Sequence, residues 1–324
     1  MALTRRALRF NDLSHEIVRE LSSLGQCAAF HISSETGTVQ RDAMTPRESD
    51  PLGMIRTAIS HVEFPAMYYQ VSDAMTKRGG NASRVAEVIA QEPALAATLL
   101  RLVNSPFYGL NAPVESLQRA VAFAGFNEIS ALALSLSVQR FFKGMGMEAG
   151  QVDFWRRSIF CGVLAKRLAR RTGLGGQWHF VAGLLYDMGG LLACRELPVR
   201  YAHLKQALRC SDAEPCLAET DQLGFATPQI GAVLLERWAL PQGVTRLVGL
   251  RRTPARSGYE PGVCVLHLAE IVTAVVFAWN SGGQAVPVLD VRAWNNLRLT
   301  ASELTTSATE AWEEAQGILE TFIS

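Results

Sequence analysis

DFWRRSIFCGVLAKRLARRTGLG, residues 153–175, and GQWHFVAGLLYDMGGLL, residues 176–192, form the stretch that decides the fold. Apolar residues recur at helical spacing in both parts, and the Gly-rich segment between them predicts a turn. We therefore expect two helices that follow each other closely along the chain. Tyr186 and Asp187 are predicted near the end of the second helix.

The chain on either side of this stretch also has the pattern of short helices. Pro93 suits the first turn of a helix, because its missing N–H has no partner there. Ser116 is a candidate N-cap, and Gly125 stands where a residue with positive φ would end a helix. Residues predicted to face the core at helical spacing are Leu95, Leu99, Leu102, Val103, Ile230, Val233, Leu234 and Trp238. Because no alternation of apolar and polar residues occurs between residues 60 and 280, the sequence predicts an all-α bundle.

The composition is that of a globular protein without a strong overall charge. Lys and Arg number 31 against 30 Asp and Glu, so the net charge of +1 gives no general attraction to nucleic acid or anionic lipid. The apolar run from Val263 to Trp279 is shorter than the ~20 residues that span a bilayer, and it predicts a buried helix. The N-terminus lacks an apolar stretch of the signal-peptide type, and the six cysteines form no CxxC pair. We expect a cytoplasmic protein that does not associate with membranes.

Several motifs, taken in their order along the chain, resemble a known family. They are EVIAQEPALAATLLRLVNSPFYGL, SLQRAVAFAGFNEISALALSLS, FWRRS, VAGLLYDMGGLL, LGFATPQIGAVLLERWALP and VLHLAEIV. Together they resemble the HDOD domain, a divergent relative of the HD superfamily of metal-dependent phosphohydrolases. The resemblance covers roughly residues 55 to 280, and the segment AWNNLRLTASEL is similar to one that often follows this domain.

The resemblance implies a domain organisation. We expect an all-α, multi-helix bundle of the HDOD and HD-like type. Residues 1–52 would hold an N-terminal helix and a polar linker. Residues 53–280 would form the HDOD domain, with a helical subdomain over 53–148 and an HD-like subdomain over 149–280. Residues 281–324 would form a C-terminal extension with a terminal helix.

The resemblance also implies where a metal site would lie in a catalytic relative. Arg157 stands where the first His would be, in FWRRS for FW-x-H-S, and Tyr186 replaces the His of the His-Asp pair before Asp187. Further His ligands are expected at about Thr227 and at Arg251–Arg252, and an Asp near Glu270. Two acidic positions are therefore retained, whereas no His remains at any ligand position.

These replacements remove the chemistry of a catalytic metal. Such a site needs imidazole and carboxylate ligands within ~2.0–2.2 Å of one ion. Tyr186 has a phenol with an ordinary pKa of ~10, and the guanidinium groups of Arg157 and Arg251 would repel a dication. We predict a protein with no metal, no cofactor and no phosphohydrolase activity. His179, His203 and His267 match no ligand position and are interpreted as core or solvated residues.

Three alternatives stay open. Arginines in the former metal site could suit an anion such as a nucleotide, although a structural ion pair between Arg157 and Asp187 is favoured. Asp187 and Glu270 could instead hold Mg²⁺ in a surviving phosphodiesterase, since Mg²⁺ is bound by one or two carboxylates plus substrate phosphates. The basic residues Arg156, Lys166, Arg167, Arg170 and Arg171 could form a nucleic-acid surface, which the near-zero net charge does not favour.

The function that we expect is regulatory. The family implies a non-catalytic protein in bacterial signal transduction that works through contacts with other signalling proteins. The N-terminal helix, residues 8–30, and the C-terminal helix from Ala301 to Phe322 are the surfaces that we expect to make such contacts.

Overall fold

Helices follow one another from Pro51 to Ile323 in the computed structural model. The structure describes residues 50–61, 69–71, 73–74, 82–105, 108, 110, 112–125, 129, 132–133, 136, 148–210, 215–281 and 286–323. No strand occurs in these ranges, so the predicted all-α class is confirmed. The predicted N-terminal helix over residues 8–30 lies outside the described residues.

The α-helices are numbered in chain order. They are α1 (Pro51–His61), α2 (Ala82–Ala90), α3 (Pro93–Val103), α4 (Leu117–Ala124), α5 (Glu148–Arg171), α6 (Gln177–Leu184), α7 (Met188–Glu196), α8 (Pro198–Cys210), α9 (Pro215–Leu223), α10 (Thr227–Arg237), α11 (Gln242–Leu250), α12 (Pro261–Ser281), α13 (Val291–Leu297) and α14 (Ala301–Ile323). A 3₁₀-helix, Pro254–Ser257, precedes α12. No helix in the described ranges is long and apolar enough to cross a membrane.

Helices α2, α3 and α4 pack against one another, and their ends match the sequence signals. Pro93 occupies the first turn of α3, and the four apolar residues predicted on one face of that helix are buried. The Ser116 hydroxyl accepts a hydrogen bond from the Arg119 N–H at 3.3 Å and so caps α4. Gly125 ends α4 with a φ of +86°, which a residue with a Cβ rarely adopts.

Helices α5 and α6 pack closely against each other, and two glycines permit it. A Cβ on Gly162 would lie 2.8 Å from the carbonyl oxygen of Phe180, and a Cβ on Gly183 would lie 2.6 Å from the Cα of Gly162. Larger residues would therefore separate the two backbones. This close crossing brings the N-terminal half of α5 beside the end of α6, where the candidate site lies.

Three details differ from the sequence predictions. Helix α5 begins at Glu148, before Asp153, where the stretch predicted to be helical begins. Tyr186 and Asp187 do not continue a helix but form a turn between α6 and α7. Val233 is 48% exposed, whereas Ile230, Leu234 and Trp238 are buried as predicted. The buried face of α10 follows the four-residue spacing of those three residues, and Val233 lies outside it.

The apolar run from Val263 to Trp279 lies within α12, and its described side chains are nearly all buried, as predicted. Helix α14 packs along α5 and also touches α3, so it links the two halves of the bundle. Its Trp312 ring meets Phe160 of α5 and Phe277 of α12 at centroid distances of 5.8 Å each. The C-terminal helix is therefore an integral part of the described fold.

Candidate functional site

Six of the seven predicted site positions line one cavity of about 100 Å³ between α5, α7, α8, α9, α10 and α12. They are Arg157, Tyr186, Asp187, Thr227, Arg252 and Glu270. The seventh, Arg251, lies directly behind the wall and has no exposed surface. The cavity is also lined by Tyr201, Lys205, Leu208 and Glu219.

A buried ion-pair network forms one wall of the cavity. Arg252 Nε lies 2.8 Å from Glu270 Oε1, and Arg251 Nε lies 3.1 Å from Glu270 Oε2. On its other side, Arg252 Nη1 donates to Glu219 Oε1 at 2.8 Å. Two guanidinium groups thus face two carboxylates, and the four charges balance.

Glu219 also fixes the start of α10. Its Oε2 accepts from the Thr227 N–H at 2.7 Å, and its Oε1 accepts from the Thr227 hydroxyl at 2.8 Å. A carboxylate at this place satisfies a backbone donor that has no partner within the helix and opposes the positive end of the helix dipole. Both oxygens of Glu219 are therefore committed to the protein itself.

The acidic groups differ in their electrostatic surroundings. Burial would raise the pKa of Glu270, but the charges of Arg251 and Arg252 outweigh it and hold that pKa below its usual range. Burial raises the pKa of Asp187 even though Arg157 and the two other arginines oppose the shift. Glu270 is accordingly a firm carboxylate, whereas ionisation of Asp187 is disfavoured.

The ion pairs in the wall of the cavity join Arg251 and Arg252 to the two glutamates. Arg157 is partly buried in the same cavity wall, and its positive charge acts on both Tyr186 and Asp187. The ion pair expected between Arg157 and Asp187 stays a prediction.

The turn that carries Tyr186 and Asp187 is imposed by packing of α7 on α10. A Cβ on Gly189 would lie 2.0 Å from the carbonyl oxygen of Thr227, so only glycine allows α7 to approach so closely. Asp187 is the residue that precedes α7, with a φ of −106° and a ψ of 26°. Burial also raises the pKa of the Tyr186 phenol, which stays protonated at neutral pH.

The histidines that the sequence left unassigned are not brought together. His267 is buried, its Nδ1 lies 2.8 Å from the carbonyl oxygen of Arg251, and its Nε2 accepts from the Asp290 N–H at 2.9 Å. This ring must therefore carry its proton on Nδ1 and be neutral. His179 is buried against Gly262, whereas His203 is exposed on α8.

Most of the predicted basic surface is occupied by the protein's own residues. Arg167 pairs with Glu310 and Glu314 of α14, and Arg171 Nη1 lies 3.8 Å from Glu303. Arg156 Nη1 lies 4.0 Å from Asp153. These contacts give the basic face of α5 a structural role in holding α14.

Lys166 is not part of that surface. Its side chain is buried, and its Nζ lies 5.0 Å from the centre of the Tyr108 ring and 5.8 Å from the centre of the Phe180 ring. Such distances place the ammonium group over two aromatic faces, where its charge is stabilised. Of the predicted basic residues, Arg170 alone is exposed on α5 without an ion pair recorded for it in the described part of the chain.

The donor set does not suit a divalent metal. The described residues contain no group of three or more His, Cys, Asp and Glu side chains placed to hold an ion. Four carboxylate oxygens that could bind a cation, those of Glu219 and Glu270, already face guanidinium or Thr227 donors. One carboxylate, that of Asp187, is left. A Zn²⁺ site needs about three or four protein ligands, and Mg²⁺ held by this carboxylate alone would need substrate phosphates and water to complete its ligands.

Among the polar side chains that line the cavity, sequence reasoning missed Tyr201, Lys205 and Glu219. All three lie on α8 and α9, in a segment without a motif of the resemblance. Glu219 is buried because it binds Thr227 and Arg252, which lie 8 and 33 residues further along the chain. No local sequence pattern predicts such a contact.

The chain is similar to one known protein family and to several known proteins. A family model for the HDOD domain matches residues 62–254. An uncharacterized protein of Treponema pallidum (strain Nichols) is 25% identical over 213 residues, which are 64% of this chain and 41% of that protein. YuxH of Bacillus subtilis (strain 168), also uncharacterized, is 30% identical over 107 residues, 32% of this chain and 25% of that protein. The chain thus spans less than half the length of these curated relatives.

Several solved structures have a fold similar to that of this chain. A Shewanella amazonensis SB2B protein, provisionally described as a phosphohydrolase, has a TM-score of 0.66 at 19% identity, covering 83% of this chain and 98% of its own. An HDOD domain protein of unknown function from Geobacter sulfurreducens has a TM-score of 0.62 at 19% identity, covering 84% and 97%. A Marinobacter aquaeolei VT8 protein, provisionally described as acting in signal transduction, has a TM-score of 0.63 at 18% identity, covering 98% and 67%. At these identities the likeness is one of fold.

Proposed function

The chain belongs to the HDOD domain family, and from that premise we propose that it is a non-catalytic regulatory protein of bacterial signal transduction. It acts in the cytoplasm through contacts with other signalling proteins. The pairing of Glu270 with Arg251 and Arg252, and of Glu219 with Arg252, is the observation that supports the non-catalytic part of this proposal.

The physical reason is the competition between internal and external cations. A hydrolytic metal lowers the pKa of a bound water and so supplies a hydroxide nucleophile. To bind here, a dication would have to displace Arg251 or Arg252 from Glu270 and would then lie beside a buried guanidinium. Because an arginine cannot be deprotonated in a protein, that repulsion would persist at every accessible pH.

The regulatory part of the proposal is supported by the kind of protein in which this fold occurs. One structure with the same fold has a provisional description as a signal transduction protein. The curated relatives are longer than the matched region, so in them this region is accompanied by further sequence. We propose that this region takes part in signalling through contact with another protein.

A hydrolysis assay tests the absence of catalysis. Purified protein is incubated with Mg²⁺ or Mn²⁺ and with cyclic dinucleotides or mononucleotides, alongside Asp187→Ala. We expect the same background turnover from both proteins. Turnover by the wild type that Asp187→Ala abolishes would refute the non-catalytic function. The exposed substitution Asp221→Ala is the matched control for loss of one carboxylate.

Protein contacts are tested separately in the bacterium that makes the chain. The full-length tagged protein is cross-linked in the cell and its partners are identified by mass spectrometry. We expect a reproducible signalling partner that is recovered equally well with Asp187→Ala, because contact does not require chemistry at the cavity. Recovery of no protein above a tagged unrelated control would count against the proposal.

A further inference from the structure

We infer that the contact between His267 and Asp290 is a proton-sensitive switch, which holds residues 286–297 against α12 and releases them when the imidazole takes up a second proton. The inference goes beyond the proposed function and does not depend on the absence of catalysis. His267 lies on α12 with 1% of its surface exposed, and Asp290 is the residue that precedes α13.

The two ring nitrogens of His267 have fixed and opposite roles. Nδ1 lies 2.8 Å from the carbonyl oxygen of Arg251, which can only accept, so Nδ1 carries the proton. Nε2 lies 2.9 Å from the backbone N of Asp290, whose N–H can only donate, so Nε2 must present its lone pair. A second proton can be added only at Nε2. Because that proton would point at the Asp290 N–H, the contact must break before the ring can become a cation.

The same contact fixes the start of α13. The Asp290 side chain accepts hydrogen bonds through Oδ1 from the N–H groups of Arg292 and Ala293, at 2.9 and 3.3 Å, and so caps the helix. At the other end of α13, the Asn296 side chain donates to the carbonyl oxygen of Tyr259 at 2.5 Å. Loss of the contact with α12 would therefore release the capped start of α13, while Asn296 still holds its end.

The segment before α13 also belongs to the cavity wall. Pro287, three residues before Asp290, lines the same cavity as Ala274 of α12. Leu289 is 5% exposed and is part of the core, so release of the segment would uncover an apolar side chain. Uptake of one proton at His267 would thus change both the cavity wall and the apolar surface beside α13.

The groups around His267 set the sign of the effect. Burial is the largest influence and lowers the pKa of the ring, and the positive charge of Arg252, which follows α11, acts in the same direction. The carbonyl oxygen of Arg251 and the carboxylates of Glu270 on α12 and of Asp290 oppose this shift without cancelling it.

The pH range follows from this direction. Once released and exposed to water, the ring regains its ordinary pKa of ~6.5 and binds the proton more readily than the buried ring does. The population of the released segment should therefore rise as the pH falls below about 6.5, by at most about tenfold per pH unit for one proton. The rise ends below the pKa that His267 has when it is bonded to Asp290.

The experiment is hydrogen exchange of the purified full-length protein, read by mass spectrometry from about pH 5 to pH 8. Wild type and His267→Gln are compared at each pH, so the intrinsic dependence of exchange on pH cancels. The comparison needs only that the glutamine does not titrate. Over residues 286–297 we expect the ratio of wild-type to variant exchange to rise by up to about tenfold per pH unit below about pH 6.5. Over α10 the ratio should stay constant.

A matched control and a second measurement keep the test decisive. His203→Gln removes the exposed histidine of α8 and should keep the pH dependence of the wild type over residues 286–297. Circular dichroism establishes that each variant is folded. If His267→Gln does not fold, nitrogen-15 spectra of wild-type protein with labelled histidines replace it. We then expect one ring in the Nδ1–H tautomer, which titrates in parallel with exchange over residues 286–297.

Three results would overturn the inference. An exchange ratio over residues 286–297 that does not change with pH would show that the contact is not proton-sensitive. Equal loss of the pH dependence in His267→Gln and His203→Gln would show that the effect does not come from the ring of His267. Faster exchange of α10 in parallel with residues 286–297 would show that the proton unfolds the bundle instead of releasing one segment. The proposed function is decided by turnover and by partner recovery, so it stands or fails independently of these results.

Discussion

Removal of the charge on Glu270 should be among the most destabilising conservative changes in this protein. Glu270 is 3% exposed and is the shared counter-ion of Arg251, which has no exposed surface, and of Arg252. Glu270→Gln keeps the size and shape of the side chain but leaves a buried guanidinium without its compensating charge. Removing one partner of a buried pair costs about 3–5 kcal/mol, a large part of a total stability of about 5–15 kcal/mol.

A matched variant separates this effect from the loss of a carboxylate in general. Glu260 pairs with Arg246 at 2.7 Å, but both side chains are about half exposed, at 44% and 51%. Solvent screening limits such a pair to about 1 kcal/mol or less, so Glu260→Gln should be nearly neutral. Urea unfolding at pH 7.5 of the wild type, Glu270→Gln and Glu260→Gln measures the change in the free energy of unfolding for each variant. The dependence of that free energy on urea concentration is compared among the three proteins.

The pH dependence of the same variants gives a second reading. Because the arginines lower the pKa of Glu270 in the folded state, its contribution is present above the ordinary value of 4.5 and is lost as the pH falls through the folded value. The difference in the free energy of unfolding between the wild type and Glu270→Gln should therefore become smaller below about pH 4.5. A Glu270→Gln protein as stable at pH 7.5 as Glu260→Gln would refute the reasoning that these charges hold the site together.

Three further changes follow from particular contacts. Gly189→Ala places a Cβ 2.0 Å from the Thr227 carbonyl oxygen and should cost about 3 kcal/mol or more in thermal unfolding, whereas Gly243→Ala, with no heavy atom within 4 Å, should be neutral or slightly stabilising. Arg167→Gln removes the ion pairs to α14 and should speed hydrogen exchange over residues 301–319. The free energy of unfolding should fall by about 1 kcal/mol or less, and high salt should cause a similar fall in the wild type because it screens the same ion pairs. Burial lowers the pKa of His267, so the unfolded chain takes up that proton more readily and stability should fall as the pH drops below about 6.5; urea midpoints for His267→Gln should depend less on pH over this range.

Much of the fold was predictable because it depends on local periodicity. The apolar face of α3 and the Ser116 cap are set within one or two helical turns, and both predictions are confirmed. Val233 was predicted wrongly because a spacing of three or four residues marks neighbours on a helix but not the edge of the buried face. Whether a residue at that edge is buried depends on the helices that pack against α10, and the local sequence carries no information about them.

The turn at Tyr186 and Asp187 shows the same limit. Apolar residues continue through Leu184, Leu185, Leu191 and Leu192, so periodicity alone predicts one helix. The chain breaks because α7 must reach α10 closely enough for Gly189 to touch the backbone at Thr227, 38 residues further along. Tertiary contact here overrides the local helix preference. The glycine pair Gly189–Gly190 is the feature of the sequence that reflects this contact.

Resemblance predicted the positions of the site, but it could not predict their pairing. Arg157, Tyr186 and Asp187 were named from motifs, and the structure places them on one cavity. The ion pairs in the cavity wall join Arg251 and Arg252 to Glu270 and Arg252 to Glu219, and Glu219 belongs to no motif of the resemblance. Pairing depends on side-chain reach across four helices, which a one-dimensional pattern does not encode.

Arginine at positions where the resemblance implies metal ligands affects the stability of the fold as well as its chemistry. In a metal site, the ion neutralises the buried carboxylates, and their mutual repulsion returns when a chelator removes it. Here Arg251 and Arg252 supply that positive charge from the chain itself, in a form that neither leaves nor deprotonates. The helices around the cavity should therefore unfold at the same temperature with and without EDTA, whereas loss of either arginine should reproduce the loss of an ion.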